Sequence, residues 1–171
     1  MRLCLFYIGI VLIAACNREQ AADINTELGS MSVRIRPGVR LPAGDSLEIA
    51  QVAQDEFIRL SDYKTRNAED SQSEWPLSGT LVESGGAIFI VQGRKHTDVS
   101  LDRWEQQHKR KIDPETREKL KQKGGSLAFG GRCKIVGELR TGREVLNRIA
   151  ALPTDGTGRP LRRVRYLISS R

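Results

Sequence analysis

Thr80-Leu81-Val82-Glu83-Ser84-Gly85-Gly86-Ala87-Ile88-Phe89-Ile90-Val91-Gln92 carries the strongest β signal in the chain. Two short apolar runs flank Ser84-Gly85-Gly86, a turn sequence, so the stretch predicts two strands. The second run, Ala87 to Val91, is continuously apolar, as in a buried strand. On its N-terminal side, Ile24, Thr26 and Leu28 alternate with polar residues. Gly29-Ser30 offers a turn, and Met31, Val33 and Ile35 alternate again up to Pro37, which predicts a hairpin over Ile24 to Arg36. Leu47 to Leu60 reads as helix or irregular structure, with Ile49, Val52, Ala53 and Phe57 on one face. Asp62 to Pro76 is polar and loop-like.

On its C-terminal side the chain changes character. Thr97 to Lys123 is charged and carries Leu101, Trp104 and His108 at helical spacing. Asp113-Pro114-Glu115 restarts a helix, with Asp as N-cap and Pro in the first position, and Gly124-Gly125 ends it. A helical hairpin inserted between two strands is expected over residues 97–125. Lys134 to Leu139 reads as a strand. Thr141-Gly142-Arg143-Glu144 has capping-box spacing, and Val145, Leu146, Ile149 and Leu152 give the next helix a buried face. Pro153 closes it. A turn-rich loop from Thr154 to Pro160 leads into a last strand over Leu161 to Ile168.

The N-terminus carries a different signal. Leu3 to Ala15 is 13 residues without a charge, behind Arg2. A membrane-spanning helix needs about 20 residues, whereas this length and basic start describe a secretory signal over 1–15. Ile13-Ala14-Ala15-Cys16 resembles a bacterial lipobox, which makes Cys16 the expected site of lipidation. Residues 16–23 are then a lipidated Cys and polar tether, and 24–171 the domain. Asn17 after the Cys favours an outer-membrane anchor facing the periplasm over the inner membrane. Hydrophobic residues make up 39% and charged residues 29%, a globular balance. The net charge of +7 suits anionic envelope surfaces or acidic partners, and no nucleic acid is expected as a partner. Arg159, Arg162, Arg163 and Arg165 are the densest positive run, readable as a charged edge strand or as a binding patch. With Cys4 in the signal and Cys16 lipidated, Cys133 is alone and no intramolecular disulfide is available.

Taken by themselves, the residues offer no catalytic constellation. His96 and His108 lack the spacing to Cys or carboxylates of a zinc site. No glycine-rich segment matches a phosphate loop, and Ser84-Gly85-Gly86 lacks the flanks of a nucleophile elbow. Neither metal nor cofactor is expected.

Several segments in series resemble the cyclophilin-type peptidyl-prolyl cis-trans isomerases. Ser84 to Gly93 is similar to the family's Gly-Ser-Gln-Phe-Phe/Tyr-Ile strand. Ile135-Val136-Gly137-Glu138-Leu139 is similar to its Val-Phe-Gly-x-Val strand, and Gly142 to Ile149 to its Gly-x-x-Val-Val-x-x-Ile helix. Pro153-Thr154-Asp155 and Arg159-Pro160-Leu161 lead into the final strand as in many bacterial members, some of which carry a charged helical insert where Thr97 to Gly125 stands. The resemblance implies a mainly β fold, an abbreviated cyclophilin-like β-barrel with flanking helices and an inserted helical hairpin.

The family isomerises Xaa-Pro bonds with an apolar proline pocket and an Arg that hydrogen-bonds near the prolyl nitrogen. The counterpart of that Arg segment is Ile49-Ala50-Gln51-Val52, followed by Phe57-Ile58-Arg59-Leu60-Ser61-Asp62, with Arg66-Asn67-Ala68-Glu69 supporting the register. Gln51 then stands at the catalytic Arg and Arg59 at a family Gln. Ala87 replaces a strand Gln, Ala128 a Trp or His, and Cys133 a pocket His or aromatic. Phe89 and Phe129 keep apolar pocket positions. A neutral amide lacks the five-donor cationic fork of Arg, so weak or no isomerase activity is expected from Gln51. The implied function is binding of envelope proteins or peptides with Xaa-Pro bonds by a membrane-anchored monomer. An active periplasmic isomerase and a non-catalytic scaffold acting through the basic insert are the alternatives.

Overall fold

The computed structural model describes residues 20–39, 41, 47–62 and 74–170. The signal segment 1–15, Cys16 and the Arg66-to-Glu69 anchor lie outside the described residues. Nine strands form one sheet. They are β1 (Gln20–Thr26), β2 (Gly29–Ile35), β3 (Leu47–Glu48), β4 (Gln51–Ala53), β5 (Phe57–Asp62), β6 (Thr80–Ser84), β7 (Ala87–Val91), β8 (Lys134–Thr141) and β9 (Arg165–Ser170). Their order is β3-β9-β1-β2-β8-β6-β7-β5-β4, and every pairing is antiparallel.

The two ends of that order are neighbours in the chain, separated only by Ile49 and Ala50. Ile49 N donates to Val164 O at 2.9 Å, and Ala50 N donates to Arg59 O at 2.9 Å. One segment therefore bonds to both ends of the curled sheet and bridges them, which covers part of the edges an open sheet would present. This corrects the reading of Leu47 to Leu60 as helix or irregular structure. Strands of two and three residues are too short to display an alternating pattern, and Ile49, Val52, Ala53 and Phe57 imitate helical spacing by accident.

Alternation then divides the side chains. Ile24, Met31, Val33, Ile58, Leu60, Leu81, Ile90 and Val136 fill the barrel interior, and Val145, Leu146 and Ile149 of α3 (Arg143–Ala150) pack on the same core. The opposite faces of β6, β7 and β8 carry Val82, Val91 and Ile135, which are also buried, beside Cys133. The apolar run from Ala87 to Val91 is thus buried on both faces, as its composition predicts.

The insert forms as expected. Helix α1 (Asp98–His108) opens with a box in which Ser100 N donates to Thr97 Oγ1 at 3.3 Å and Thr97 N donates to Ser100 Oγ at 3.0 Å. Helix α2 (Pro114–Gln122) opens on Asp113, whose Oδ1 accepts from Thr116 N at 2.9 Å. Leu101, Trp104, Ile112 and Leu120 form a small core of their own, packed on Trp75, Leu77 and Leu127.

Three boundaries move. The first strand begins at Gln20, four residues before the expected start of the hairpin at Ile24, so residues 20–23 belong to the sheet. The hairpin turns at Glu27-Leu28 rather than Gly29-Ser30. Thr26 Oγ1 accepts from Leu28 N at 3.1 Å and donates to Gly29 O at 2.8 Å, a local hydroxyl turn that fixes the reversal. Helix α3 has no capping box. Its N-cap is Gly142 at φ 90°, and Thr141 remains the last residue of β8. Any Cβ at Gly142 would lie 2.6 Å from Ser30 O, so that close approach selects glycine.

Candidate functional site

One row of residues crosses the barrel's outer surface. Gln51 pairs with Arg59, Arg59 with Phe89, Phe89 with Val82, and Val82 with Ile135. These positions alternate with the interior residues Val52, Ile58, Ile88, Ile90, Leu81 and Val136, so all five face outward. Phe57, two residues before Arg59, shares this face, and Phe129 reaches it from the loop after the insert. The three Phe rings form a triangle. Centroids of Phe57 and Phe89 are 5.0 Å apart, Phe89 and Phe129 5.1 Å, and Phe57 and Phe129 5.4 Å. These are the spacings of aromatic rings in direct contact.

The structure therefore brings together Phe89 and Phe129, the two pocket residues expected from sequence. Sequence reasoning missed Phe57. Its signal is the alternation Phe57/Arg59 against Ile58/Leu60, visible once the segment is read as a strand.

Gln51 sits elsewhere in the arrangement. It is two strands from Phe89, about 10 Å at ordinary interstrand spacing. Its Nε2 donates to Thr157 O at 3.3 Å. The receiving loop is ordered by Asp155, whose Oδ1 accepts from Thr157 N at 2.8 Å, Thr157 Oγ1 at 2.7 Å and Arg159 N at 2.9 Å. Those bonds, from Thr157 above all, hold the Asp155 carboxyl below its usual range. Val52 N donates to Gly158 O at 2.8 Å and fixes the loop against β4. Arg59, one strand from Phe89, lines an open groove of about 590 Å³ with Arg159, Arg163, Glu48 and Pro160.

Cys133 lies behind the Phe triangle, 2% exposed, its thiol reaching Glu74 O at 3.4 Å. Burial, with the Glu74 carboxylate adding to it, pushes the thiol up to about 12. At neutral pH it is protonated, which removes its nucleophilicity. His96 is buried with Nε2 3.0 Å from Gly125 O. His108 stacks on Trp104, centroids 4.3 Å apart, with Nδ1 2.9 Å from Trp104 O. Among the described residues, no three His, Cys, Asp or Glu side chains gather where they could hold a metal ion.

No family model matches the chain, and no curated protein sequence matches it. Solved structures do. A cyclophilin-type peptidyl-prolyl cis-trans isomerase of Cryptosporidium parvum is similar with a TM-score of 0.53 at 13% identity, over 90% of this chain and 99% of that one. The same enzyme, in the presence of the dipeptide Ala-Pro, is similar with a TM-score of 0.52 at 13% identity, over 89% of this chain and 100% of that one. The fold is a cyclophilin-like β-barrel with flanking helices.

Proposed function

We propose that this chain is a lipid-anchored envelope protein of the cyclophilin-type family that holds extended or proline-containing protein segments, with weak or no isomerase activity. The Phe57–Phe89–Phe129 triangle carries this reading. A pocket for proline must admit a pyrrolidine ring against an aromatic wall. Rings whose centroids are 5.0–5.4 Å apart touch one another, so a prolyl ring lies on the rim of the cluster rather than between its members.

Gln51 supports the same reading. Its amide is neutral and already engaged with Thr157 O. Charge-assisted hydrogen bonds are about twice as strong as neutral ones, and each 1.36 kcal/mol of lost transition-state stabilisation costs about tenfold in rate. The Ala-Pro dipeptide present with the structurally similar enzyme supports the ligand class. The lipobox at Cys16 supports anchoring, and Asn17 supports an outer-membrane site facing the periplasm.

A second reading rests on Arg59. It stands in the outer row, directly cross-strand from Phe89, and its guanidinium could replace the missing family Arg in an active isomerase.

An Xaa-Pro peptide assay on the detergent-solubilised full chain separates the two. Uncatalysed exchange takes roughly tens to hundreds of seconds. The proposal expects wild type to leave that rate nearly unchanged while binding the peptide, and Gln51→Arg to gain activity. Clear wild-type catalysis that disappears in Arg59→Gln would sink the proposal and establish the second reading.

A further inference from the structure

The charges of the insert are sorted by helix face. Asp98, Asp102 and Glu105 lie along one stripe of α1 and all turn toward α2. Arg117 reaches Asp98 at 3.1 Å, Asp102 at 2.9 Å and Glu105 at 3.1 Å, while Lys121 reaches Asp98 at 3.1 Å and Lys111 reaches Glu105 at 2.7 Å. The acids of α1 are therefore consumed inside the hairpin.

The other face of α1 borders a trough against the loop that carries Phe129. One end, about 360 Å³, and the other, about 330 Å³, share Trp104, His108, Leu127 and Ala128 as common lining. Phe129 lines the second end, so the trough runs up to the Phe triangle. The guanidiniums of Arg94, Arg103, Arg110 and Arg132 surround it. Arg110 is tied to Gly130 O. Arg94, Arg103 and Arg132 are exposed, and their side chains make no ion pair or hydrogen bond among the described residues. Glu56 is the one carboxylate lining it, and it already accepts from Ser126 Oγ.

An aromatic and apolar floor with a cationic rim and no free carboxylate is complementary to an extended chain bearing Asp or Glu. Guanidinium forks bind carboxylates in a planar, two-point geometry, and the wall of His108, Leu127, Ala128 and the rim of Trp104 offers apolar contact between them. We propose that the insert and the 127–132 loop form a subsite for acidic residues flanking the segment held at the Phe triangle. This rests on the proposed peptide-binding function and makes acidic polypeptide its ligand class.

Three fluorescent peptides sharing an Ala-Pro centre, with Asp/Glu, Gly/Ser or Lys/Arg flanks, test it by anisotropy on the detergent-solubilised full chain. The acidic peptide should bind roughly tenfold tighter than the Gly/Ser one, the yield of two or three exposed ion pairs. That gain should shrink with added salt. Arg103→Glu combined with Arg132→Glu should abolish the gain and leave Gly/Ser binding unchanged, while Arg103→Lys with Arg132→Lys retains most of it. Equal affinity for acidic and Gly/Ser peptides overturns the subsite while the peptide-binding reading stands. A gain that survives the double Glu variant also overturns it, placing acidic recognition elsewhere. Displacement of the acidic peptide by single-stranded RNA at equal charge concentration overturns the polypeptide assignment. Binding of the acidic peptide with the Gly/Ser Ala-Pro peptide silent sinks the proline-segment reading and keeps the trough.

Discussion

Gly125 is where the insert rejoins the barrel, and adding one methyl there tests how the two are joined. A Cβ at Gly125 would lie 2.5 Å from Pro76 O, 2.6 Å from Leu120 Cδ2 and 3.3 Å from Leu77 Cα. The leucine tip can swing away; the backbone cannot do so freely. Pro76 O accepts from Ser126 N at 3.2 Å, Gly125 N donates to Arg94 O at 2.9 Å, and Arg94 N donates to Gly125 O at 3.2 Å. His96 Nε2 adds a further contact to Gly125 O at 3.0 Å. Relieving the clash stretches at least one of these bonds. Overpacking costs about 1–3 kcal/mol and a lost hydrogen bond about 1 kcal/mol, so Gly125→Ala should destabilise by about 3 kcal/mol. At roughly 2–4 °C per kcal/mol for a domain of this size, Tm should fall by about 6–12 °C. Gly156→Ala is the control. No heavy atom lies within 4 Å of its Cβ position, and its φ is not positive. Restricting the unfolded chain there should leave stability unchanged or raise it by about 0.4–1 kcal/mol. Thermal melts followed by circular dichroism read both. A Gly125→Ala chain that melts with the Gly156→Ala control would refute the close approach and the rigid joint built on it.

Other expectations follow from the insert and the buried thiol. The Glu105 carboxyl is held down to about 2 from 4.5, first by Lys111, then by Ile112 N–H and Arg117. A folded value below the unfolded one gives stability that is full above about pH 4.5 and lost as pH falls toward 2. Urea midpoints should therefore drop across that window, and less steeply in Glu105→Gln; identical slopes would contradict the assignment. Trp104, 7% exposed and edge-on to Trp75 at 5.0 Å, should cost about 3–5 kcal/mol as Trp104→Ala and should remove the near-ultraviolet signature of the Trp pair. A retained signature would disprove the contact. In a chain with Cys4→Ser and Cys16→Ser, Cys133 should resist thiol reagents at pH 8 until urea unfolds the domain. Rapid labelling of the native protein would refute its burial.

Much of this fold is legible locally. Asp113-Pro114 starts α2 and Thr97 starts α1 because cap bonds join residues three apart, whatever surrounds them. The apolar stripe of α3 and the run Ala87 to Val91 likewise announce themselves. Where two local solutions compete, the sequence is less decisive. The hydroxyl of Thr26 wins the first turn against Gly29-Ser30, and β8 runs through Thr141 because it pairs with Ser32, which leaves no hydroxyl to cap α3. The segment from Leu47 to Ala53 is the extreme case. Its extended form comes from Val164 and Arg59, partners far along the chain, and no pattern within seven residues encodes them.

The insert, the Asp113 cap of α2 and the strand-rich framework are written in the order of the amino acids. Which side chains meet across the fold came from long-range packing. Pairing of β5 on β7 sets Phe57 beside Phe89 and Arg59 across from it, the loop after the insert brings Phe129 against both, and the 155–159 loop packed on β4 gives Gln51 its partner in Thr157. Packing of α2 on α1 takes up the acids and leaves Arg103 facing the trough beside Arg94 and Arg132. The physical reason is range. Caps and turns are won by bonds between near neighbours, whereas a site assembled from four separate segments depends on sheet register, which is set when the hydrophobic faces of distant strands are buried together.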